Sequence, residues 1–178
     1  MTTKPAMLPL CIALLGAAAC AAGGTPGAKS AGATTELSSA APAAAADDLS
    51  DLETKRLEDS ITANFSKNKA QFKDLCGSDV DLEVDWKSFG HSKTAHETMF
   101  SNYGFERVIN SFKAPCADKT GKDAVRAKVR KIRAVNIADK DKDNGTISGG
   151  VFTVELDWGS GSPALYGSDL AAMITKGL

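Results

Sequence analysis

Side chains with catalytic or metal-binding chemistry are sparse in this 178-residue sequence, and their spacing decides what they can do. There are two histidines, His91 and His96. Imidazole is the usual proton carrier near neutral pH and a frequent metal ligand. A separation of five residues does not put both on one helical face, and no H-E-x-x-H or related zinc signature accompanies them. His96 falls beside Glu97 in the first turn of a helix expected to open at Thr94, so the pair is read as solvent-exposed helix-start residues. Asp139, Asp141 and Asp143 have the spacing of the first ligands of a calcium loop. Gly145 arrives one position late, and the twelfth position is Gly150 instead of a bidentate Glu. A solvated hairpin tip therefore accounts for these carboxylates, and no metal site or cofactor is expected.

Lys122, Arg126 and Arg130 recur at intervals of four and are expected to line one face of a helix, opposite Val125 and Val129. Lys128, Lys131 and Arg133 extend the positive region. Such a stripe suits lipid phosphate, acidic polysaccharide or an envelope protein partner. The competing reading is a solvated helix face paired internally with the acidic side of a strand at 79–86. No catalytic residue is nominated. Ser66-Lys67-Asn68-Lys69 and Lys119-Thr120-Gly121 resemble the S-x-x-K and K-T-G motifs of penicillin-binding proteins and β-lactamases. Ser78-Asp79 is followed by Val80 where the S-D-N triplet needs Asn, and the foldable chain is far too short for those folds, so nothing is carried over. No nucleophile elbow, phosphate loop or dinucleotide fingerprint occurs.

Residues 6–19, AMLPLCIALLGAAA, follow Lys4 as 14 uncharged positions. That is shorter than the roughly 20 residues a membrane-spanning helix needs, and it has the length of a secretory h-region. It ends in Leu15-Gly16-Ala17-Ala18-Ala19-Cys20, which resembles the lipobox of bacterial lipoproteins, with Ala17 standing where Leu is favoured. The resemblance implies a signal peptide over 1–19 and a lipid on Cys20. It also implies a tethered place in the cell envelope, facing the periplasm or the cell surface. The alternative is cleavage by the ordinary signal peptidase and a secreted protein. Residues 21–46 contain 11 Ala, 4 Gly and 2 Pro, with Leu37 the single large apolar side chain. Such a stretch buries too little surface to offset its ordering entropy and is expected to be a disordered linker, with ends roughly 30 Å apart.

Of four cysteines, Cys11 leaves with the signal peptide and Cys20 takes the lipid, which leaves Cys76 and Cys116. An even pair in an exported domain is expected to form a disulfide. Lys plus Arg number 21 and Asp plus Glu 22, a net charge of −1, which excludes the strongly basic footprint of a nucleic-acid binder.

The elements that must position these residues fall within 47–178, expected as one globular domain. Ser50 and Glu53 have capping-box spacing, and Leu57, Ile61, Phe65 and Phe72 continue one helix to Gly77. Residues 79–86, DVDLEVDW, alternate as a half-buried strand with an acidic outer face. The helix from Thr94 is expected to break at Gly104, with apolar clusters Met99, Phe100 and Tyr103, then Phe105, Val108, Ile109 and Phe112. A helix from Gly121 passes into a strand near Lys131, Asn144-Gly145 marks a hairpin turn, and VFTVELDW forms the next strand. A short helix follows from Ser168. The fold class is α+β: a small antiparallel sheet of about three strands with helices on one face. The functional expectation is a membrane-tethered lipoprotein with a non-catalytic binding or scaffolding domain. Its alternatives are a small envelope hydrolase using acidic pairs such as Asp81 and Glu83, or a small-ligand carrier with an apolar pocket between helix and sheet.

Overall fold

The computed structural model describes residues 48–101, 104–161, 165 and 167–178. The expected signal peptide, Cys20 and the linker lie outside the described residues, as does Tyr103. The described chain is α+β, in the order α1 (Asp51–Ala63), α2 (Phe65–Cys76), β1 (Asp81–Val84), α3 (Trp86–Phe89), α4 (Lys93–Phe100), α5 (Phe105–Asn110), α6 (Lys119–Lys128), β2 (Lys131–Asn136), β3 (Asn144–Ser148), β4 (Val151–Leu156) and α7 (Gly167–Gly177).

The sheet has four strands in the order β1-β2-β4-β3, and it is mixed. β1 runs parallel to β2 and β2 parallel to β4, while β3 and β4 form the antiparallel hairpin. This corrects the expected three-stranded antiparallel sheet. The strand missed in the sequence is β3, and Asn144-Gly145 opens it instead of turning the chain. The hairpin turns at Gly149-Gly150, where φ is 58° and 87°. A tight hairpin with positive φ at both central residues matches the right-handed strand twist, and two glycines adopt it without steric cost. The long helical excursion from α3 to α6 supplies the crossover that parallel pairing of β1 with β2 requires.

Register separates the two faces of the sheet. Leu82, Ile132, Phe152 and Ile147 lie side by side across the strands, next to a row of Val84, Ala134 and Val154. This face is buried beneath the helices, except that Ile147 at the edge is only partly covered. Phe152 meets Phe112 edge-on with ring centroids 5.5 Å apart, and Phe112 meets Phe72 of α2 at 5.0 Å. The opposite face is half-exposed and charged. On it Lys131 lies 2.7 Å from Glu83, and Arg133 lies 3.3 Å from Glu83 and 2.7 Å from Asp85. Helices thus cover one face, as the strand alternation implies.

Local chemistry explains the helix boundaries. Ser50 and Glu53 form the expected capping box of α1. The single helix expected from Ser50 to Gly77 divides at Asn64. Ser60, Thr62 and Asn64 each donate from the side chain to the carbonyl four residues back, at 2.8, 2.8 and 3.2 Å. Three such bonds in five residues compete with the backbone ladder and bend the helix. Ser92, not Thr94, caps α4, its hydroxyl accepting the Ala95 N–H at 3.3 Å. Gly104 lies between α4 and α5, as expected, and packs so closely that a Cβ there would stand 1.8 Å from the Met99 carbonyl oxygen. Cys76 and Cys116 form a disulfide with Cα atoms 5.1 Å apart, tying the end of α2 to the turn that follows α5. No helix among the described residues is long and apolar enough to cross a membrane.

Candidate functional site

Three features carry the side chains singled out above: a basic seam between α2 and α6, a buried histidine, and a polar cleft beside the α1–α2 break. The seam begins with α6, whose N-cap Asp118 accepts the Gly121 N–H at 2.8 Å. Val125 and Val129 are buried, as their spacing implies. The continuous stripe expected over Lys122, Arg126 and Arg130 does not form. α6 ends at Lys128, Val129 is extended, and the Arg130 N–H donates to the Gly150 carbonyl at 2.8 Å. Sheet pairing therefore removes Arg130 from the helix and sets it on the connection into β2.

The three cations now have different surroundings. Arg126 reaches across to α2 and donates to the Gly77 carbonyl at 3.4 Å, at a helix C-terminus where orphan carbonyls attract positive charge. It also lies 3.6 Å from Asp123. The Lys119 ammonium bonded to Asp123, with Arg126 nearby, holds that carboxyl below its ordinary value. Lys122 is half-buried and Arg130 is exposed, and neither has an ion-pair partner among the described residues. Arg130 lines a groove of about 320 Å³ together with Lys69, Asp79, Val80 and Asp81. Lys69 already lies 3.1 Å from Asp81 and Lys73 3.0 Å from Asp79. Lys131 and Arg133 do not extend the seam, because Glu83 and Asp85 neutralise them on the open sheet face.

His96 is fully buried, which corrects its expected exposure. Its ring stacks on Trp86 with centroids 5.9 Å apart and planes within 6°, and Phe89 meets it edge-on at 5.6 Å. Nδ1 lies 2.8 Å from the Ser92 carbonyl, so Nδ1 carries the proton and donates it. Nε2 is buried without a hydrogen-bond partner. His91 is half-exposed and holds the loop before α4 to the start of α1, with Nδ1 3.3 Å from the Thr54 hydroxyl and Nε2 3.7 Å from Asp51. The calcium-like run serves the backbone. Asp139 accepts the Asp141 N–H at 3.1 Å, and its hydrogen bond from Lys142 holds its carboxyl below the ordinary value. Asp143 accepts the N–H groups of Asp157 at 2.7 Å and Leu165 at 3.4 Å. No group of three or more His, Cys, Asp or Glu side chains placed to hold a metal occurs among the described residues.

The cleft, of about 110 Å³, opens where α1 breaks into α2 and α4 gives way to α5. Asn64, Lys67 and Asn68 line one side, and Phe100 and Glu106 the other. Asn68 is only 7% exposed, and its carboxamide makes no hydrogen bond with another described residue. Lys67 and Glu106 approach to 3.8 Å. Phe100, placed by its sequence in an apolar cluster, is 51% exposed. The run Ser60, Thr62 and Asn64 is the one sequence signal for this feature, since it marks the helix break that opens the cleft.

No family model, curated protein or solved structure matches this chain.

Proposed function

We propose that this protein is a lipoprotein of the bacterial cell envelope. Residues 1–19 direct its export, Cys20 carries the lipid, and residues 20–46 hold the globular domain off the membrane. The domain binds an anionic envelope partner through the seam between α2 and α6 and carries out no chemistry on it.

The observation that carries the binding role is the state of the seam's cations. Among the described residues, Lys122 and Arg130 have no carboxylate within ion-pair distance, and Arg126 is held by one backbone carbonyl and one exposed acid. Cations left uncompensated beside a disulfide-fixed helix end attract an anionic surface without having to break internal pairs first. Of the groups a hydrolase could use, Asp81 lies 3.1 Å from Lys69. Glu83 is paired with Lys131 and Arg133, and His96 has no solvent exposure. The carrier alternative meets a filled interface between helices and sheet, where Phe72, Phe112 and Phe152 are fully buried against one another.

The test is photo-crosslinking in cells from a position on α6, with the wild-type chain and with Lys122, Arg126 and Arg130 changed together to Glu. The triple change reverses three charges, leaves the buried face of α6 intact and is checked for folding by circular dichroism. Loss of the captured species in the folded variant supports the seam. Capture at the wild-type level rules the seam out as the binding surface.

A further inference from the structure

We propose that the cleft at the α1–α2 break is a subsite for one neutral sugar unit of a glycan, with Asn68 as its buried hydrogen-bonding group and Phe100 as its apolar wall. Asn68 is 7% exposed and lines an open cleft, and its carboxamide has no hydrogen-bond partner among the described residues, so its donors and acceptor are left to water or a ligand. The amide offers two donors and an acceptor, which match the hydroxyl or acetamido groups of a sugar, each both donor and acceptor. Asn64 adds a carbonyl acceptor, since only its NH₂ is used internally, on the Ser60 carbonyl.

The charge at the mouth decides against an ionic ligand. Lys67 and Glu106 lie 3.8 Å apart, so the rim carries one charge of each sign and no net field to select an anion or a cation. Phe100 is one of two large apolar side chains exposed among the described residues, the other being Leu52, and it stands on the cleft wall. An exposed ring beside convergent polar groups suits the C–H face of a pyranose, which has polar edges and apolar sides. The volume agrees: about 110 Å³ holds roughly three or four waters, room for the buried edge of a single ring.

Saturation-transfer difference spectroscopy on the full chain tests this. The probes are a panel of neutral oligosaccharides built from glucose, galactose and N-acetylglucosamine, with an Asn-Gly-containing tripeptide as the peptide control. At least one sugar is expected to give a transfer signal at millimolar concentration. Phe100→Ala, an exposed substitution that leaves the core intact, is expected to weaken binding about fivefold to tenfold. Asn68→Ala is expected to weaken it about tenfold in a chain that circular dichroism shows to be folded. Silence from every sugar overturns the proposal, as does a sugar signal unchanged in Phe100→Ala, or a peptide that saturates in place of the sugars. The α6 charge reversal leaves the cleft residues untouched, so the seam and the cleft stand or fall separately.

Discussion

Removing the Cys76–Cys116 bridge is expected to lower the thermal midpoint of the domain by about 15 °C, and the figure follows from the loop that it closes. The bridged cysteines are 40 residues apart. In the chain-entropy account, a loop of that length takes up to about 4 kcal/mol of freedom from the unfolded chain. An unfolding entropy of about 2.1 cal/mol/K per residue gives a domain of about 130 residues roughly 0.27 kcal/mol/K, so a 4 kcal/mol loss shifts the midpoint by about 15 °C. Both sulfurs are buried, so Cys76→Ala/Cys116→Ala also loses a little packing, and reduction of the wild-type protein isolates the loop contribution. Calorimetry on the two samples gives the shifts. Urea unfolding gives the slope, which is expected to rise without the bridge because the unfolded chain expands. A midpoint drop below about 5 °C with an unchanged slope would refute the loop-entropy argument, since the unfolded chain would then be as compact without the cross-link.

Gly104→Ala is expected to destabilise by at least about 2 kcal/mol, because its Cβ would meet the Met99 carbonyl oxygen at 1.8 Å. Gly167→Ala, with nothing within 4 Å, is expected to stay within about 0.5 kcal/mol of wild type by chemical denaturation. Equal effects would contradict the close approach at the α4–α5 junction. At the start of α1, hydrogen bonds from the Ser50 hydroxyl and then its N–H hold the Glu53 carboxyl below the ordinary value of 4.5. The stabilisation from this cap is therefore complete above that value and is lost as pH falls through the lower folded value. Carboxyl titration by NMR is expected to move upward in Ser50→Ala, and an unmoved Glu53 would contradict the capping box. His96→Phe is expected to retain the fold, because Nε2 has no partner to lose and the ring packs between Trp86 and Phe89. A melting drop of more than about 10 °C would show that the Nδ1 bond to Ser92 matters more than the stacking.

The sequence disclosed those parts of the fold in which local pattern and burial agree. Val80, Leu82 and Val84 alternate with acids and lie buried in and beside β1, and Phe152, Val154 and Leu156 do the same in β4. The Ser50 cap, the Gly104 break and the Cys76–Cys116 pair have near-neighbour or counting signals that survive folding. β3 left no such signal. It is an edge strand with one large apolar residue, Ile147, and its Asn-Gly start has the composition of a turn. Parallel pairing of β1 with β2 is a non-local outcome that no window of sequence contains. Arg130 left the expected helical stripe because sheet pairing at Gly150 outcompetes one more helical turn. The burial of His96 has no local signal, because a polar residue in a first turn ordinarily faces water, whereas here Trp86 and Phe89 of α3 cover it. Of the cleft, only the helix break at Ser60, Thr62 and Asn64 is legible, because tertiary packing brings Asn68 and Phe100 to line one cleft.

The intact mass of the protein extracted from membranes, before and after reduction, tests the tethered-domain account most directly. The account predicts a chain beginning at Cys20 with acyl groups attached and a gain of two hydrogens on reduction of the Cys76–Cys116 bridge. An unacylated chain, or one that still begins upstream of Cys20, would contradict it.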